Sequence, residues 1–381
     1  MRFFQEIIRS IRATKHNFAR QKKYSIMTTG TTLYDTLARE AARLLEQLIR
    51  IPGNSRNEDE KADFLQQYLA EHGANPRREG NNLWCEQPDR GSECPTLLLN
   101  VHIDTVKPAS GWQRNPYQPL WEGDRLYGLG SNDCGGGLTT LLQVFLALKD
   151  QELPYRLVFL ASAEEEVSGR NGLERVLPLL PRPDVAIVGE PTGMQPAVAE
   201  KGLMVFDCTA HGKAGHAARN EGVNAIYRAM ADIEWFRTYA FEKTSPLLGK
   251  VKMSVTMIEA GSQHNVVPDR CRFVVDVRPN ELYTNAEVLD IVRRHVSCEV
   301  VPRSTRLSSS RIDLSHPLVQ RAIALGGTPF GSPTLSDQAL MPFPSFKWGP
   351  GDSARSHTAD EYICRSELRQ AVELYVRLLT E

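Results

Sequence analysis

Apolar residues recur every three to four positions between residues 33 and 49. Leu33, Leu37, Leu44, Leu45, Leu48 and Ile49 fall on one helical face, which predicts an opening helix of about five turns. Ile51-Pro-Gly-Asn-Ser-Arg interrupts it. A second helix is predicted from near Asn57, with Glu58, Asp59 and Glu60 in its first turn, Phe64, Leu65, Tyr68 and Leu69 inward, and Gly73 at its end. The pattern then changes. Continuous apolar runs over 97–99, 156–162 and 185–188 read as strands buried on both faces of a parallel sheet, preceded by a short strand at 83–86. A helix over 138–148 separates the first two runs. Strands alternating with helices predict an α/β fold, a mostly parallel sheet flanked by helices.

The character shifts near residue 203. Positions 203–210 alternate, with Met204, Phe206 and Cys208 on one face. A helix is expected over 220–241, turning Val223, Ile226, Met230, Ile233 and either Trp235 or Phe236 inward. Strands at 250–257 and 271–277, a helix at 284–295 and a strand at 298–301 complete a β-α-β-β-α-β pattern. That is an inserted α+β unit over 203–306, and 304–310 is a polar hinge leading back. The remainder supplies a helix at 318–325, a Gly/Pro/Ser-rich loop over 331–337, a strand at 343–348 and a closing helix at 366–379.

Composition sets bounds. The 381 residues are 41% hydrophobic and 24% charged, with net charge −1. Nothing there calls for nucleic acid or an anionic membrane as partner. Seven cysteines without a C-x-x-C pair imply reduced thiols, hence a cytoplasmic location, and no run is long and apolar enough to cross a membrane. Residues 1–30 differ. Arg2, Arg9, Arg12, Lys15, Arg20, Lys22 and Lys23 face one acid, Glu6, while Phe3, Phe4, Ile7, Ile8 and Ile11 form a short amphipathic pattern. A transit peptide or surface anchor would use such a pattern. The expectation is a dispensable basic extension, with Met27 as an alternative start.

The candidate chemistry lies at strand ends. His102 and Asp104 are two apart after the first buried run, so an extended backbone turns both to one side. They face the space beyond the strand's carboxyl end, where open α/β sheets build sites. A histidine backed by a carboxylate suits a metal ligand held in orientation by its neighbour. Gly128-x-Gly130 hints at a dinucleotide loop, but Asp133 stands where a third glycine belongs and would repel pyrophosphate. The surrounding glycines are expected to hold Asp133 rigidly and let a ligand approach the backbone. The second run ends in Ala163-Glu-Glu-Glu-Val-Ser-Gly169, whose adjacent acids repel unless a cation offsets them. The third ends in Gly189-Glu190-Pro191-Thr192. Three buried strands thus each deliver an acid or histidine at the same kind of position.

His102-x-Asp104, Gly130-Ser-Asn-Asp133, Glu164-Glu-Glu166, Gly189-Glu-Pro-Thr192 and Gly349-Pro-Gly…His357…Asp360-Glu361 occur in that order, with the inserted unit between the last two. Residues 33–381 thereby resemble the zinc-dependent acetylornithine deacetylase / succinyl-diaminopimelate desuccinylase / aminoacylase family. The resemblance implies two adjacent divalent metal ions, Zn2+ or alternatively Co2+, bridged by Asp133. His102 and Glu190 would bind one ion, Glu166 and His357 the other. Glu165 resembles the general base, Asp104 the carboxylate behind His102, and Glu164 takes the place of the family's usual aspartate. The same resemblance divides the chain into a metal-binding catalytic domain (31–202 and 307–381) and an inserted lid/dimerisation domain (203–306).

Within that lid, His216 matches a histidine that reaches the partner's active site in a homodimer and stabilises the oxyanion. Asn265 and Arg278 resemble residues that meet the substrate's carboxylate, a bidentate task suited to arginine. Read from sequence, Arg278 pairing with Asp276 and Asn265 capping a turn stay open as alternatives. Cys134 departs from the lysine or methionine usual after the bridging aspartate, and is read as a small buried side chain. The implied reaction is hydrolysis of a small N-acyl amino acid, N-acetylornithine to ornithine and acetate. Succinyl-diaminopimelate desuccinylase is the runner-up, followed by a di-metal dipeptidase or aminopeptidase. A binding protein that had lost catalysis should have lost ligands or base, yet each matched position retains competent chemistry.

Overall fold

The computed structural model describes residues 30–381 apart from 92 and 220. The basic stretch lies outside the described residues, as does Asn220. Helices α1 (Gly30–Ile49) and α2 (Asp59–Glu71) come first, then strands β1 (Arg77–Glu79), β2 (Asn82–Glu86) and β3 (Thr96–His102). Two short strands, β4 (Leu120–Glu122) and β5 (Arg125–Tyr127), precede α3 (Gly136–Leu148), β6 (Arg156–Ser162), β7 (Val185–Val188) and β8 (Ala197–Glu200). Next are β9 (Met204–His211), β10 (Gly215–His216), α4 (Ala225–Thr238), β11 (Lys252–Ala260) and β12 (Val266–Val267). They are followed by β13 (Arg270–Arg278), α5 (Asn285–His295) and β14 (Glu299–Pro302). The chain returns through β15 (Ser310–Arg311), α6 (Pro317–Ala324), β16 (Phe330–Ser332), β17 (Ser345–Lys347), β18 (Tyr362–Cys364) and α7 (Arg365–Thr380).

The large sheet runs β1-β2-β6-β3-β7-β17-β8-β15, with β16 beside β8. Its heart, β6-β3-β7-β17, is parallel, while β1-β2, β2-β6, β17-β8 and β8-β15 are antiparallel. Every residue of β3 is buried. Leu97, Leu99 and Val101 enter the core shared with Leu44, Leu141, Phe145 and Tyr375 of the covering helices. Leu98 meets Val158, Leu160 and Val188 under Leu173 and Val176 on the other face. Burial on both faces is why this strand reads as a solid apolar run. The four parallel strands place His102, Ser162, Val188 and Lys347 at carboxyl ends along one edge.

The smaller sheet runs β11-β13-β9-β14, antiparallel throughout, around Phe206, Phe236, Phe273 and Val292. Its β9 alternates buried with half-buried positions, as expected. The first helix differs from the sequence pattern. It begins at Ala225, because the Asn224 side chain accepts from the Ile226 N–H and Val223 is held in a bridge to Lys213. Ala225, Ala229, Asp232 and Phe236 face inward, while Val223 and Met230 are exposed. The alanines let α4 sit close on the sheet, and Asp232 accepts from the N–H groups of Ser297 and Cys298. On α2, likewise, Leu65 and Leu69 are buried but Phe64 and Tyr68 only half so.

The glycines after Asp133 serve packing. A Cβ on Gly137 would lie 1.8 Å from the Gly189 carbonyl, and one on Gly136 would lie 2.1 Å from Ile363. What approaches Gly136 and Gly137 is the protein itself. The seven cysteines are free. No helix among the described residues is long and apolar enough to cross a membrane.

Candidate active site

β3 ends on His102, and the next turn carries Asp104. The His102 Nδ1 lies 2.9 Å from the Asp104 carbonyl and 3.4 Å from its carboxylate. With two acceptors there, Nδ1 carries a proton and Nε2 is left to face the neighbouring carboxylates. Burial opposes a charge on the ring, but the hydrogen bonds to Asp104 and Asp133 raise its pKa well above the usual value. Nε2 faces Asp133 Oδ1 at 3.1 Å and Glu190 Oε1 at 3.8 Å. His357 mirrors this from the chain's last segment, its Nε2 lying 2.9 Å from Glu166 Oε2 and 3.7 Å from Asp133 Oδ2. Asp133 thus presents one oxygen to each histidine. His102, Asp133 and Glu166 offer ligand atoms within 4.8 Å of one another.

Asp104 does a second task. Its carboxylate accepts from Ser55 Oγ at 2.7 Å and from the backbone N–H groups of Glu165 and Glu166 at 3.1 and 3.2 Å. It therefore orients His102 and also pins the turn after β6. Burial opposes its ionisation, but the hydrogen bond and charge of His102 outweigh that and hold its pKa below the usual carboxylate range. The three glutamates have separate environments. Glu164 is buried and accepts from Asn171 Nδ2 at 2.9 Å. Glu166 lies beside His357, and its Oε1 is buried without a hydrogen bond among the described residues. The Glu165 carboxylate makes no hydrogen bond or ion pair among them. Burial, then the nearby Glu190, Asp337 and Glu166 charges, raise its pKa well above the usual value despite His102. Burial and the Asp133 charge likewise push Glu190 up to about 8.

Cys134 lies within ligand reach of His102 and Glu190, but its Sγ donates to the Gly189 carbonyl at 2.9 Å. Burial drives its pKa upward, so it stays a thiol, the small buried side chain expected.

His216, Asn265 and Arg278 lie elsewhere, on the unit containing the smaller sheet. β10 and β12 pair His216 with Val266, and the Ala217 N–H donates to the Asn265 carbonyl at 2.9 Å. His216 and Asn265 are therefore neighbours, both exposed. No hydrogen bond or ion pair among the described residues joins them to the His102 cluster. Arg278 makes a bidentate pair with Asp276 at 2.9 and 3.0 Å, the alternative left open above. Three residues around the cluster had no assigned role in the sequence reading. Glu361 is buried against the Asp133 loop, Asp337 accepts from Ser162 Oγ at 2.6 Å, and Lys347 is buried in a 3.1 Å pair with Glu200. Only Glu361 carried a signal, since it stands in the Asp360-Glu361 motif.

A parallel α/β sheet with histidines and carboxylates converging on its carboxyl edge is an arrangement suited to a metal-dependent hydrolase. Residues 98–381 match the model of peptidase family M20/M25/M40, and the chain belongs to that family of amide-bond hydrolases. It is similar to an acetylornithine deacetylase of Proteus mirabilis, 27% identical over 76% of this chain and 80% of the relative. A succinyl-diaminopimelate desuccinylase of Gluconobacter oxydans is 29% identical over 54% of this chain, a match spanning 58% of the relative's length. Among solved structures, a Bacillus subtilis protein described as a dinuclear metal-binding peptidase of family M20 superposes with a TM-score of 0.70. It is 17% identical, with 90% of this chain and 97% of the other covered.

Proposed function

We propose that this chain removes the acyl group from an N-acyl amino acid, with N-acetylornithine as first substrate and two divalent ions, zinc first, as cofactors. The observation that carries the metal reading is the division of Asp133, whose two oxygens each face a different histidine. His102 Nε2 can face a carboxylate either by carrying a proton or, deprotonated, across a cation that both groups ligate, and the paired geometry suits the second arrangement. The unpartnered Glu166 Oε1 is a further ligand atom in waiting. His102, Glu190 and Asp133 would hold one ion, and Glu166, His357 and Asp133 the other. Bound there, such ions acidify the attacking water and polarise the scissile carbonyl.

The chain's own residues then have separate jobs. Glu165, its carboxylate free of hydrogen bonds among the described residues and close to the cluster, takes a proton from water and passes it to the leaving nitrogen. Amide plus water becomes carboxylate plus amine. Asp104 keeps the His102 proton on Nδ1. In our reading, residues 31–202 and 307–381 form the catalytic domain and 203–306 a lid. His216 accepts the Ala218 N–H at Nδ1, which leaves a proton on Nε2 to donate to the oxyanion of a partner subunit's substrate. Asn265 and the uncommitted N–H groups of Arg278 would meet the substrate's carboxylate.

A homodimer is supported by β11, the edge strand of the smaller sheet, with Met257 65% and Ile258 59% exposed. An unpaired apolar edge is a surface for pairing with another strand. Reduced thiols favour a cytoplasmic location. The Gluconobacter relative supports N-succinyl-diaminopimelate as the second reading. The test is turnover of N-acetylornithine, N-succinyl-diaminopimelate and a dipeptide by the zinc-loaded protein. A tenfold or greater preference in kcat/KM for either other substrate would overturn the first choice. Fewer than two ions bound per chain at saturation would overturn the metal reading.

A further inference from the structure

Asp133 is carried by a loop that follows two glycines. Gly128 and Gly130 lie just before it, and Gly130 adopts φ +72°, a left-handed conformation natural to glycine. Against this loop lies one carboxylate, 2% exposed, from the far end of the sequence. Glu361 Oε1 accepts the N–H groups of Asn132 and Asp133, both at 2.8 Å, and Oε2 accepts that of Gly130 at 2.9 Å. Both oxygens are turned to backbone donors, and Glu361 is absent from the groups of described residues whose ligand atoms lie within 4.8 Å of one another. A second tie runs parallel to this one. The Asn132 side chain donates to the Asp352 carbonyl at 3.1 Å and accepts the Asp352 N–H at 2.9 Å. The Asp133 loop is therefore strapped on both sides to the segment 352–361, which also carries His357.

We infer that Glu361 is the positioning residue of the bridging aspartate, fixing the Gly130–Asp133 backbone so that the two Asp133 oxygens stay divided between the two histidines. The inference rests on the reading that Asp133 bridges two ions. Three charge-assisted bonds on one buried carboxylate make a stiff restraint. Because Glu361 and His357 share one segment, the clamp also fixes the Asp133 backbone relative to the second histidine. The ion held by Glu166, His357 and Asp133 depends on it most, since His357 is half-exposed and His102 is already locked by Asp104.

The test uses the full chain loaded with cobalt. Glu361→Gln keeps the side-chain shape but turns an NH2 group toward a backbone donor. The variant should stay folded, lose ten- to hundred-fold in affinity for the weaker-bound ion, and lose the magnetic coupling between the two cobalt ions. Asp360→Asn is the control, because Asp360 Oδ1 accepts from Gln113 and Arg114 N–H groups instead; it should leave affinity and coupling unchanged. Equal affinity and intact coupling in Glu361→Gln would overturn the clamp. Should that variant not fold, amide exchange of the unaltered protein decides. Core-like protection of Gly130, Asn132 and Asp133 supports the clamp, and loop-like exchange overturns it. An unaltered protein that binds fewer than two ions refutes the metal reading instead, while exchange still judges the contact.

Discussion

The three adjacent glutamates make opposite predictions when each is truncated. Glu165 has no hydrogen-bonding partner among the described residues, and burial and neighbouring acids disfavour its charge. Glu165→Ala should therefore leave stability unchanged or slightly improved. Its cost should fall on rate: losing a general base costs about 10²–10⁴-fold, or roughly 3–5 kcal/mol of barrier. Glu164 is the reverse. Its carboxylate accepts from Asn171 Nδ2 at 2.9 Å, more weakly from the Asn171 N–H at 3.4 Å, and fills space that a Cβ on Gly169 would invade. Losing hydrogen bonds to a charged group at roughly 1.5–3 kcal/mol each gives a destabilisation of about 3 kcal/mol for Glu164→Ala. With an unfolding entropy of roughly 0.7 kcal/mol/K for a chain this size, Tm should fall by about 4 °C. Steady-state kcat and KM on an N-acyl amino acid, with calorimetry on the same samples, separate the two. An inactive Glu164→Ala with unaltered Tm, beside a Glu165→Ala active within tenfold, would refute the assignment and move the base by one residue.

Other changes test other parts of the structure. Lys347→Met leaves Glu200 buried without its cation; it should cost about 3–5 kcal/mol, and adding Glu200→Leu should recover most of this. A double variant no more stable than the single in denaturant titrations would contradict that. Lys61 is buried and donates to the Ile103 carbonyl at 3.2 Å, and desolvation pulls its pKa down to about 8. Between that value and the unfolded value near 10.4 the unfolded chain binds more protons, so the unaltered protein gains stability as pH rises through this window. Lys61→Met should therefore be more stable by about 1–3 kcal/mol at pH 7, with the advantage gone above about pH 10; a less stable variant at pH 7 would contradict the sign. Last, His216→Ala mixed with Glu165→Ala should regain activity in mixed dimers if His216 serves its partner. Verified but inactive heterodimers would place it within its own subunit.

The candidate-site residues around the paired histidines were legible because they sit at strand ends. A buried parallel strand is a solid apolar run, so β6 and β7 could be read to the residue, and whatever follows such a run projects from the sheet's carboxyl edge. That logic picked out His102, Asp104, Glu164 to Glu166 and Glu190. Local pattern failed on α4. Its inward face is chosen by how closely alanines let the helix approach the sheet, so Met230 points outward although it is the more apolar residue. It failed again for Lys347 and Asp337, whose burial follows from strands and loops brought in from far along the chain.

Fold class, the alternation of elements and the order of the acid- and histidine-bearing motifs are written locally in the chain, because they depend on local period and on what ends each strand. Tertiary structure alone decided how those groups share their work. Asp133 lies between His102 and His357 only because segments separated by more than two hundred residues close on it. The Glu165 carboxylate has no hydrogen-bonding partner among the described residues while Glu166 is tied, for the same reason: His357 and the Asp104 carboxylate are placed in space by packing, and no spacing along the chain encodes that.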